Sequence, residues 1–90
     1  MPLYRKKPVV IQAERCSTLI HDAATNWGAL PPWFRDVYET GKIIIAANQI
    51  HIRTLEGVMT ANSDDWVICG VKCEVHPCRP DIFAETYEPA

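Results

Sequence analysis

The chain has no surplus of positive charge. Nine Lys and Arg stand against eleven Asp and Glu in 90 residues, a net charge of −2. Nucleic-acid-binding domains carry a broad basic footprint, so nucleic acid is not expected as a partner. No apolar run reaches the roughly 18 residues of a membrane helix. The opening "MPLYRKKPVVIQA" also lacks an apolar core of signal-peptide length. No membrane association is expected, and the predicted location is the cytoplasm. Thiols there are normally reduced, which argues against disulfides. Catalytic signatures are missing too: there is no phosphate loop, no zinc-protease helix and no nucleophile elbow. The sequence predicts a non-enzyme without a cofactor.

What is present fits one small domain, residues 1–90. Apolar residues make up 48% of the chain. That supports a real but thin core, which a partner subunit would reinforce. "KPVVIQAERC" reads as a first strand, because Val9, Val10 and Ile11 are β-branched and stiff. "STLIHDAATNWGAL" reads as a short helix, capped by Ser17 or Thr18 and stopped at Gly28. Leu19, Ala23 and Trp27 recur every four residues on one face of it. "LPPWFRDVYETGKI" reads as a second helix, with Pro31 and Pro32 at the first turn and Gly41 at the end.

From Lys42 onward the period changes to two. Ile50 and Ile52 alternate with His51 and Arg53, Glu56-Gly57 marks a turn, and "ANSDD" marks another. "WVIC" reads as a buried strand, "KCEVHP" as its return and "DIFAETYE" as a last extended piece. Elements this close together imply antiparallel hairpins. The predicted class is α+β: a small, curled, open barrel-like antiparallel sheet of about five strands, with one or two short helices inserted after the first strand.

Three cysteines and a histidine, Cys69, Cys73, His76 and Cys78, crowd into ten residues. Zinc takes such ligands, but usually from two separate knuckles. In an extended 71–76 segment Cys73 and His76 would also face opposite ways. The thiols therefore read as small apolar groups, with no metal. His21-Asp22 reads as surface or cap chemistry, and Asp64-Asp65 as turn chemistry.

Three tryptophans carry more information. Trp27 and Trp33 are expected to pack on the sheet, and Trp66 to open a buried strand. An exposed tryptophan beside Arg53, Lys72 or Arg79 would make a stacking site. The candidate binding residues are Arg5, Lys7, Arg53, Lys72 and Arg79 for phosphates, with Trp33 or Trp66 stacking on a base.

The opening "YRKKPVVIQA" and the ending "TLEGVMTANSDDWVICGVKCEVHPCRPDIFAETYEP" resemble a family of small proteins from tailed bacteriophages and prophages. Those chains begin with tyrosine and a basic run before "KPVVIEA". They close with a Thr-Leu-Glu-Gly hairpin, "GVKGE", Tyr-Pro-Cys and "PDIFxxTYE". The resemblance covers about half the chain. Cys73 stands where the relatives carry glycine, and His76 where they carry tyrosine. The resemblance thus implies that the cysteine cluster is individual variation in a hairpin. It also implies a phage-encoded accessory protein acting in the host bacterial cytoplasm. The expected function is non-catalytic binding of a host or defence-system protein, or of a small nucleotide signal. The alternative expectation is a self-associating assembly protein, closing the edge at residues 8 to 13 against a second copy.

Overall fold

The computed structural model describes residues 2–4, 9–72 and 74–89. The first strand, β1 (Gln12–Arg15), starts later than Val9 and Val10 suggested, and Pro8 lies outside the described residues. Two helices follow, α1 (Cys16–Thr25) and α2 (Pro32–Glu39), joined through a 3-10 turn, Trp27–Ala29. Neither Ser17 nor Thr18 caps α1. Arg15 takes the cap position without a side-chain bond, because β1 runs straight into the helix. The helix ends at Thr25, ahead of Gly28, where the Asn26 N–H bonds the Asp22 carbonyl and the tighter turn takes over. α2 begins on Pro32, as the proline pair predicted.

The remaining strands are β2 (Ile43–Ala46), β3 (Gln49–Thr54), β4 (Gly57–Asn62), β5 (Trp66–Cys69) and β6 (Val75–Cys78). All pairings are antiparallel. They form two three-stranded sheets, β1-β5-β6 and β2-β3-β4, instead of one curled sheet of about five strands, and neither closes into a barrel. The α+β class and the helices inserted after the first strand stand as predicted.

Period-two patterning decides which residues fill the core. Ile43, Ile52, Ile50 and Ala61 project from one face of β2-β3-β4 and are buried. From the other sheet Val67 and Val75 meet them. Cys16 and Leu19 from α1, Leu30, and Phe34 from α2 close the same cluster. Trp33 packs edge-on against Phe34 at the margin of this core. Trp27 does not join it. The chain leaves the helix before that residue, so its ring is 41% exposed and meets Tyr38 edge-on instead. The β3–β4 turn sits at Leu55–Glu56, one residue earlier than expected. Gly57 then opens β4 at φ 120°, a conformation open to glycine and strained for other residues.

The last piece is a helix, α3 (Pro80–Thr86), and not an extended segment. Pro80 at its first turn and Asp81 beside it start it, and the four-residue spacing of Phe83 and Tyr87 brings their rings to 5.3 Å. Phe83 lies parallel to Trp66 at 4.1 Å. The helix thereby covers the side of β1-β5-β6 that faces away from the core.

Candidate functional site

A half-open cleft of about 740 Å³ lies between the C-terminal end of α2, the tip of the β3–β4 hairpin and the β5–β6 turn. Val37, Ile52, Leu55, Met59 and Val75 line it with aliphatic surface. Three cations border it, Lys42, Arg53 and Lys72, together with His76. Asp36, Glu56 and Glu74 supply the acidic part of the rim. None of the three cations is in an ion pair among the described residues.

Hairpin register brings two of these cations together. The two-residue loop Ala47–Asn48 pairs Ala46 with Gln49, and counting outward sets Lys42 opposite Arg53. The Arg53 N–H donates to the Lys42 carbonyl at 2.8 Å, which confirms the register. Like charges directly opposite destabilise a strand pair. Two unpaired cations held side by side form a seat for an anionic group.

Lys72 reaches the cleft from the β5–β6 turn. That turn is held internally: the Gly70 N–H bonds the Glu74 carbonyl at 2.8 Å, and the Lys72 N–H bonds Glu74 Oε2 at 3.1 Å. Glu74 thus spends one carboxylate oxygen on its own loop.

The expected site residues separate. Arg53 and Lys72 share the cleft. Trp66 lines a different groove, of about 710 Å³, with Phe83 and Tyr87. Its ring is engaged by Phe83 and by the Arg15 guanidinium, 4.7 Å from the ring centre. Trp33 is taken up by the core margin. Arg79 pairs with Asp81 at 3.4 Å on the surface. Arg5 and Lys7 lie outside the described residues. No tryptophan, tyrosine or phenylalanine lines the cleft that holds the cations. Lys42 escaped sequence reasoning, although the hairpin loop could have located it by register. Leu55 and Met59 escaped because an exposed turn leucine carries no periodic signal.

Strand register also disperses the cysteine cluster. Cys69 lies opposite Val75 on one face of the sheet, while His76 and Cys78 lie on the other. Among the described residues no three Cys, His, Asp or Glu side chains converge as metal ligands, and Cys73 lies outside them. Cys16 is fully buried, and burial, with the Asp65 carboxylate adding to it, pushes its thiol up to about 11. Cys78 is shifted upward as well, by burial first and then by Asp65 and Asp81. Neither thiol is activated as a nucleophile. Among the described residues no helix is long and apolar enough to cross a membrane.

Comparison with protein-family models, with curated proteins and with solved structures finds no match to this chain.

Proposed function

We propose that this chain is a phage-encoded, non-catalytic binding protein that acts in the host bacterial cytoplasm, holding a host or defence-system protein or a small anionic signal in the cleft of Lys42, Arg53 and Lys72. The observation that carries this reading is the Lys42–Arg53 pair. Two cations face each other across a strand pair, unneutralised, beside an aliphatic floor. Such an arrangement costs stability in the free protein and is relieved by an anionic group from outside. The phage assignment rests on the resemblance of the two chain ends.

Native mass spectrometry tests it, on protein purified from a reducing cytosol without chelator. The wild type is expected to retain a partner or a small ligand, and Arg53→Ala/Lys72→Ala to lose it. A bare wild-type mass with no partner captured overturns the reading.

Self-association is the second reading, favoured by one observation. β1 is an edge strand, and it is preceded by Val9 and Val10, the latter 79% exposed. A concentration-independent monomer in sedimentation removes it.

A further inference from the structure

The cleft touches both Val75 and His76. Successive residues of a strand project to opposite faces, so a cavity that reaches both runs along the strand's edge and not over one face. Among the described residues the sheet order β1-β5-β6 leaves the far side of β6 without a hydrogen-bonded strand, although β3 and β4 pack near it. The phase of its backbone groups follows from the turn. The Gly70 N–H bonds the Glu74 carbonyl, so Glu74 points its peptide groups at β5. In an antiparallel ladder the next residue points them away. Val75 therefore directs its N–H and C=O outward, at the edge that borders the cleft. Pro77, two residues on, has no donor to offer there, and its carbonyl already lies 3.3 Å from His76 Nδ1.

We propose that the occupant of the cleft is a short extended peptide of a partner protein that adds as a strand to β6 at Val75 and seats an acidic side chain or C-terminal carboxylate on Lys42 and Arg53. The proposal rests on the reading of this cleft as the binding site. Three features favour a peptide over a nucleotide. The backbone edge supplies the donor–acceptor pair that strand addition uses. The floor is aliphatic, of Val37, Ile52 and Met59, with no ring to stack on a base. The rim carries acidic groups, Asp36 and Glu56, beside its cations, which suits a chain of mixed charge better than a polyanion. Alternate side chains of an added strand would face the floor, and the rim would fix its direction.

The test uses a displayed library of random heptapeptides selected against the whole protein, followed by anisotropy titration of the enriched sequences as labelled synthetic peptides. Enriched peptides are expected to carry an aliphatic residue at every second position and an Asp, Glu or free carboxylate at one end. Leu55→Glu, at a fully exposed turn position that lines the cleft, is expected to weaken them ~10-fold or more. Arg53→Ala is expected to abolish the preference for an acidic end. Ile82→Glu, at an exposed position on α3 and away from the cleft, should leave binding unchanged. No enrichment, or enriched peptides indifferent to Leu55→Glu, overturns the proposal. Parallel titrations with ATP and a cyclic dinucleotide separate the two levels. Nucleotide binding lost in Arg53→Ala/Lys72→Ala, without peptide binding, overturns the peptide and keeps the cleft. If neither class binds, both readings fall.

Discussion

At the scale of single residues, the cleft and the core ask opposite things of charge. Lys42 and Arg53 stand opposite each other without a counter-ion, which a fold selected for stability alone would avoid. Replacing Arg53 by threonine, a good strand former, is expected to stabilise the protein by about 0.5 kcal/mol while removing ligand or partner binding. Denaturant unfolding and a binding assay on the same variant check both halves. A destabilised variant would mean that Arg53 supports the fold.

Cys16 presents the reverse case. Its thiol, fully buried, titrates at about 11 instead of the ordinary 9.0. The fold favours the neutral form, so this contribution is complete below pH 9 and is lost as the pH climbs from 9 to 11. Unfolding titrations across that window should show stability falling by at most about 1.4 kcal/mol per pH unit, with a shallower fall in Cys16→Ala.

Elements were legible where one period ruled and illegible where two competed. In β3 the alternation of Ile50 and Ile52 with His51 and Arg53 named the strand and separated its two faces from sequence alone. Pro31 and Pro32 likewise gave the start of α2. "DIFAETYE" has no clean period, and seven residues are too few for helix propensity to decide. The choice is made by tertiary packing, because a helix sets Phe83 flat on Trp66 and brings the tilted Tyr87 ring beside Phe83. Phe83→Ala should therefore act on α3 as a whole. It is expected to cost about 2 kcal/mol, less than a fully buried phenylalanine because the ring is only half-buried. Trp66 fluorescence should shift to the red and amide exchange through Pro80–Thr86 should quicken, with the β3–β4 hairpin unaffected. Unchanged exchange in α3 would show that the stack does not hold it.

For the whole molecule, sequence reasoning found the strands but not their division into two sheets, because the long-range pairing of β1 with β5 leaves no local pattern. The same gap explains the candidate site. Arg53 and Lys72 were named from residue type, but only the meeting of two hairpins shows that they share a cleft and that the tryptophans do not.

Sheet edges are what remain open at this scale, and the outer edge of β1 carries a partial guard. The Cys16 N–H bonds the Asp65 carbonyl, so Arg15 and Ala13 point their peptide groups away from β5, toward the free edge. There the Arg15 N–H is taken by Glu14 Oε1 at 2.9 Å, which withholds one donor from any incoming strand. Only the groups of Ala13 and of the residues before it remain available. Glu14→Ala exposes that donor and removes a charge from the edge, two devices that keep edges from pairing. Sedimentation equilibrium of this variant should show a dimer that tightens with concentration, formed by antiparallel pairing of β1 with its copy about Ala13. Ala13→Pro, which removes the central donor, should return Glu14→Ala to the wild-type state. A Glu14→Ala protein that sediments as the wild type does would mean that the carboxylate only satisfies its own backbone and guards nothing.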